Sequence, residues 1–209
     1  MIKDIRLIKY ADSFLAEDQI FKGGSKEKLQ PIFFGIYFIR TENRLILVDA
    51  GCETMPGFEM HNFISPAAAL TDKTGVLPHE ITDVIITHSH HDHIHAIFRF
   101  PNALIHIQAQ EYESAKAAIP HDFRVNTFED SFLLEDDLKI VKIGGHSVGS
   151  SIVEASFDNK KYVLCGDECY KRENLLKKIP TGCSFNPIKS EEFIEKYSST
   201  EYTCLLCHD

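Results

Sequence analysis

Apolar residues along the chain gather in short runs bounded by turn residues, and that pattern predicts strands more often than helices. Ile5 and Leu7 alternate with polar neighbours at the start, and a polar loop with Gly23, Gly24 and Ser25 follows. Residues 31–40 are rich in β-branched and aromatic side chains and predict a buried strand. A polar turn at 41–44 leads to a second apolar run that closes on Asp49-Ala50-Gly51, so the two read as a hairpin. Further strands are predicted at 83–87, 103–107, 138–143, 151–157, 161–165 and 202–207. Strong helix formers fill 109–118. Residues 190–197 predict a helix capped by Ser190, with Phe193, Ile194 and Tyr197 on one face. The stretch 52–78, holding Met55, Phe58, Met60 and Phe63, predicts irregular or partly helical chain that forms a binding wall or lid. Strands outnumber helices and helices fall between them, which predicts an α+β fold in a single domain over residues 1–209.

Composition fits a globular chain: 209 residues, 44% hydrophobic and 25% charged. A net charge of −9 argues against a nucleic-acid partner and against docking on anionic membranes. The first ten residues do not read as a signal peptide, and no apolar run reaches transmembrane length, so a cytoplasmic location is expected. Six cysteines in such a chain are expected as reduced thiols. Cys204 and Cys207 form a C-x-x-C, but they lie in a predicted strand, where positions three apart face opposite ways. Buried thiols, not a metal clip, are expected there.

The chemistry gathers at 87–96, T-H-S-H-H-D-H-I-H-A, where five of ten residues are histidine. The other suggestive residues also follow predicted strands: Asp49, His146 in G-G-H-S, Asp167 in C-G-D and His208. Neutral imidazole and carboxylate suit zinc, iron or manganese. His88, His90, His93, His146 and His208 with Asp92 and Asp167 are too many donors for one tetrahedral ion, and they fit two ions sharing a carboxylate. The remaining histidines, His61, His79, His91, His95, His106 and His121, read as bystanders.

These motifs resemble the metallo-β-lactamase superfamily: H-x-H-x-D-H at 88–93, G-H-S at 145–147, G-D at 166–167, C-H-D at 207–209 and D-A-G at 49–51. The resemblance implies a four-layer αββα sandwich with metal at one edge. It implies that His88, His90 and His146 bind one ion and that Asp92, His93 and His208 bind the other. Asp167 would bridge them, and Asp49 would order the metal loops from behind. Two divalent ions follow, zinc favoured, with iron, manganese or cobalt as alternatives. The implied reaction is attack of metal-activated hydroxide on an ester-type carbonyl, with Asp92 shuttling a proton. A closer resemblance is to the N-acyl homoserine lactonases. Tyr170 falls three residues after Asp167, and segments 31–51 and 107–115 look like theirs. Tyr170 is thereby implied as a hydrogen-bond donor to the substrate carbonyl. Ile94-His95-Ala96 departs from the A-G-G that lactonases commonly carry after D-H. A small-molecule lactone is the favoured substrate, with no nucleic-acid or membrane partner and a homo-oligomer left open. The alternatives are a thioester hydrolase of glyoxalase II type or an iron-dependent sulfur dioxygenase.

Overall fold

Two long strands, β1 (Ile2–Ala16) and β2 (Leu29–Thr41), pair antiparallel and open the computed structural model, which describes residues 1–209. The short helix α1 (Glu17–Ile20) turns the chain between them. The register of the pair shifts between Lys9 and Ala11, leaving Tyr10 as an extra residue. Such a bulge re-aims a side chain, and Tyr10 is turned into the core at 2% exposure.

The expected hairpin forms: β3 (Leu45–Val48) runs antiparallel to β2. The stretch after it contains α2 (Pro66–Thr74), capped by Ser65 and stopped by Gly75 at φ 74°. Next come β4 (Asp83–Ile86), α3 (His91–Ile94), β5 (Leu104–Gln108), α4 (Ala109–Ala115) and β6 (Arg124–Phe128). The first sheet has six strands in sequence order, with β3 to β6 all parallel. The second sheet holds β7 (Ser131–Glu135), β8 (Leu138–Lys142), β9 (Ser151–Phe157), β10 (Lys160–Leu164) and β11 (Tyr202–Leu205), in the order β11-β10-β9-β8-β7. Between β10 and β11 lie α5 (Arg172–Lys177) and α6 (Pro187–Tyr197).

Period-two alternation along the strands separates three apolar layers. Tyr37, Ile39, Ile46, Val48 and Ile85 face Leu138, Ile140, Val153 and Leu164 between the sheets. The other faces of β2 to β5 pack outward, through Phe34, Leu47, Val84 and Ile105, against α2 and the chain around Ile94 and Ile97. Ile152 and Val163 on the second sheet pack outward against Leu175 of α5 and Phe193, Ile194 and Tyr197 of α6. Helix, sheet, sheet and helix therefore stack in four layers, as expected. Cys204 joins the outer layer and Cys207 the inter-sheet layer, so the C-x-x-C does straddle the sheet.

Some elements differ from the sequence reading. Ser190 does not cap α6. The cap is Asn186, whose Oδ1 accepts from the Lys189 N–H at 3.3 Å, with Pro187 at the first helical position. Ser190 sits one turn inside, its hydroxyl 2.8 Å from that of Ser184. Strands β6 and β7 and helix α5 were not expected. Residues of β6 and β7 are mostly exposed or half-buried, and α5 buries only Asn174 and Leu175, so none shows a clear apolar periodicity.

Candidate metal centre

The parallel strands bring their C-terminal ends to one edge. The chain leaves β3 through Asp49, whose φ of 64° is left-handed. A non-glycine residue holds such a backbone only where its surroundings fix it. Here the Asp49 carboxylate accepts from the Thr87 N–H at 2.8 Å and from the Thr87 hydroxyl at 2.9 Å, and it sits 2.8 Å from His93 Nδ1. The bulged Tyr10 places its phenol beside the same loops. It donates to the Asp92 carbonyl and accepts from the Cys52 N–H, each at 3.2 Å.

Three imidazoles converge on one side. His90 Nδ1 lies 3.0 Å from His88 Nε2 and 2.9 Å from His146 Nε2. On the other side stand His93, His208 and Asp92. Asp92 Oδ2 is 3.5 Å from His93 Nε2 and 3.7 Å from His208 Nε2. Asp167 lies between the two sets and divides its oxygens. Oδ2 faces His88 at 3.7 Å and His146 at 3.6 Å, while Oδ1 faces His93 at 3.3 Å and His208 at 3.2 Å. Six of the seven residues named from the sequence thus fall in two groups of converging donor atoms, and Asp92 lies beside the second without joining it. The outward nitrogens are tied: His146 Nδ1 to the Cys183 carbonyl and His208 Nδ1 to the Phe33 carbonyl, both at 2.8 Å. Asp209 helps to seat His208, because its carboxylate accepts from the Arg172 N–H at 2.9 Å.

The electrostatics differ between the halves. Burial holds His88 well below the ordinary imidazole range. Burial also opposes charge on His93, but Asp167, Asp49 and Asp92 outweigh it and hold that ring well above the range. Asp167, despite burial, is held well below the carboxylate range by His93 and His208. His93 Nε2 and His208 Nε2 are buried without a hydrogen-bond partner. Buried ring nitrogens without a partner are costly, and a cation would complete them by taking up the lone pair of each neutral imidazole. The residues fit a metal group: His88, His90, His146 and Asp167 form one cluster of converging donor atoms, and His93, Asp167 and His208 fall in a second. Cys207 Sγ also lies in the second cluster, and it contacts Asp167 Oδ1 at 3.5 Å.

A cavity of about 320 Å³ opens over the centre. Leu15, Ile32, Phe34, Met55 and Phe58 wall it, with Gln19 and Cys183 at its side. The wall expected from 52–78 is therefore half realised. Met55 and Phe58 line the cavity, whereas Met60 packs beside Cys52 and Phe63 is exposed. Tyr170 also lines the cavity, its ring stacked on His208 at 5.2 Å. Burial and the Asp167 carboxylate raise its phenol well above the ordinary tyrosine value, so it stays a donor. His91 lies in neither cluster but reaches the cavity, with Nε2 2.8 Å from the Thr54 carbonyl.

Sequence reasoning missed Thr87, Glu111 and Glu168. Glu168 accepts from the N–H groups of Gly145 and His146 at 3.1 Å each and holds the His146 loop. Burial pushes its carboxyl up to about 7. A signal existed only in its position beside Asp167.

Residues 36–191 match the family model described as the metallo-beta-lactamase superfamily. The chain belongs to the metallo-β-lactamase superfamily. Among curated members, it is 30% identical over 134 residues to a probable metallo-hydrolase of Methanocaldococcus jannaschii, covering 63% of this chain and 59% of that protein. It is 26% identical over 170 residues to an N-acyl homoserine lactonase of Bacillus cereus, covering 69% of this chain and 67% of that enzyme. Solved structures share the metallo-β-lactamase fold. An N-acyl homoserine lactone hydrolase with N-hexanoyl-L-homoserine at its catalytic metal centre superimposes at TM-score 0.85 and 20% identity, covering 100% of this chain and 94% of that one. A probable metal-dependent hydrolase from Staphylococcus aureus gives 0.83 at 19% identity, covering 100% and 91%.

Proposed function

We propose that this chain is a dinuclear metal-dependent hydrolase that opens the ester bond of a lactone bearing an apolar acyl chain, of the N-acyl homoserine lactone kind. The observation that carries the reading is the divided Asp167 carboxylate, one oxygen toward His88 and His146 and the other toward His93 and His208. The lactonase relative and the product-bound hydrolase of the same fold favour a lactone over other esters.

Divalent ions, when bound, would acidify a water and polarise a carbonyl oxygen. His88, His90 and His146 would hold one ion and Asp92, His93 and His208 the other, with Asp167 shared. The apolar wall of Leu15, Ile32, Phe34, Met55 and Phe58 takes the acyl chain and excludes bulk water. At about 320 Å³ the cavity falls at the lower end of small-molecule sites, roughly 300–1,000 Å³. The Tyr170 phenol donates to the carbonyl oxygen as negative charge grows there. Water oxygen bonds the carbonyl carbon, the ring C–O bond breaks, and Asp92 passes the proton to the departing alkoxide. No helix is long and apolar enough to cross a membrane.

The test is metal analysis of purified protein beside a panel of lactones, thioesters and phosphodiesters. The reading expects zinc or a similar ion with lactone turnover that is lost in Asp92→Ala. One iron with oxygen consumption on a persulfide, and no lactone turnover, would overturn it.

A further inference from the structure

Glu111, on α4, is 1% exposed and lies outside both donor clusters. Its two oxygens serve two different loops. Oε2 accepts from the Ser89 N–H at 2.8 Å and the Ser89 hydroxyl at 2.6 Å. Oε1 accepts from the Ser147 hydroxyl at 2.6 Å and the Gly149 N–H at 2.8 Å. Ser89 sits between His88 and His90, and Ser147 follows His146. One carboxylate therefore straps together the two loops that carry the three converging imidazoles.

The strap is itself anchored. Gln108 Oε1 accepts from the Gln110 N–H at 2.7 Å and the Glu111 N–H at 3.3 Å, and Gln108 Nε2 donates to the Glu129 carbonyl at 3.0 Å. Gly149 must be glycine for the approach, since a Cβ there would collide with Gln108 Oε1 and stand 3.0 Å from Glu111 Cγ. Burial opposes the charge on Glu111, yet the Ser147 and Ser89 hydrogen bonds outweigh it and hold the carboxyl below its ordinary range. It is ionised and accepting at neutral pH. The other half of the centre is tied elsewhere, His93 to Asp49 and His208 to the Phe33 carbonyl.

We propose that Glu111 is a positioning residue for one metal position only: it fixes the distance between the His88–His90 loop and the His146 loop, and so sets the affinity of that position independently of the other. The inference rests on the dinuclear reading above. A carboxylate that merely stabilised the fold would affect both positions alike, so selectivity between them is the decisive readout.

The experiment is competitive zinc titration of the whole chain against a chromophoric chelator, for wild type, Glu111→Gln, Ser147→Ala and Asp49→Asn. In Glu111→Gln an amide NH₂ replaces one acceptor and meets the donors of one loop. One equivalent should weaken by about 10–100-fold while the other stays within about threefold. Ser147→Ala, which removes a single hydrogen bond, should weaken the same equivalent to a smaller degree and keeps the test open if Glu111→Gln folds poorly. Asp49→Asn keeps a residue type that tolerates the left-handed backbone but alters the contacts to His93 Nδ1 and to Thr87, whose hydroxyl lies 3.1 Å from His88 Nδ1, so it should weaken both equivalents and serves as the unselective control. Equal loss at both positions in Glu111→Gln and Ser147→Ala, or no loss in either, would overturn the inference. Wild type that takes up fewer than two ions would overturn the dinuclear reading and this inference with it. Two ions with unselective loss would overturn the inference alone.

Discussion

Single residues at the centre are held by contacts that do not touch substrate. Asp49 keeps a left-handed backbone because Thr87 and His93 engage its carboxylate. Gly145 is equally constrained: a Cβ there would collide with Glu168 Oε2 and stand 2.7 Å from Ser190 Oγ. Gly145→Ala should push the His146 loop outward and lower metal content, measured on protein that has kept its far-ultraviolet dichroism. Tyr170 makes the sharper test. If its phenol meets the developing oxyanion, Tyr170→Phe should lower kcat for lactones by about 100-fold, with metal content unchanged. An unchanged kcat would leave the ring only its stacking on His208.

Elements place these residues through where strands stop. At the opposite end of β4 from the histidines, buried Asp83 accepts from Arg44 at 2.7 Å and lies 2.8 Å from His106 Nε2. Burial opposes its charge, but hydrogen bonds from His106, Thr82 and Arg44 outweigh that and lower its carboxyl below the ordinary range. A carboxyl lowered by folding stabilises the protein above its unfolded value, near 3.9, and the contribution disappears as pH falls through the lower folded value. Asp83→Asn should therefore cost stability at neutral pH, on the order of 1–2 kcal/mol. In denaturant melts the gap from wild type should close only below about pH 4, and a gap independent of pH would contradict the assignment. The strand ends themselves were legible in the sequence, because short apolar runs ending at Asp49, Thr87 and Cys165 mark where a sheet edge presents side chains. The supports were not. The bulge at Tyr10 depends on pairing with β2 across the sheet. Glu111 reads as an ordinary helix former, and its partners lie 22 to 38 residues away. The start of α6 was misread because Ser190 suits a cap by type, while Asn186 followed by Pro187 suits it better.

At the scale of the whole molecule, two sheets and their outer helices form a scaffold whose one edge gathers histidines and aspartates from five separate stretches. Metal should therefore stabilise the assembled fold as well as supply chemistry. Chelation should lower the melting temperature, and re-addition of ion at 100 times its dissociation constant should restore about 2.7 kcal/mol per occupied position. The central claim is that Asp167 joins two metal positions and that turnover needs both. Its most direct measurement is the titration of metal-free protein with zinc while lactone hydrolysis and bound metal are followed together. The account predicts uptake of two equivalents per chain, with activity rising to its plateau only as the second is bound. Saturation of both binding and activity at one equivalent would contradict it.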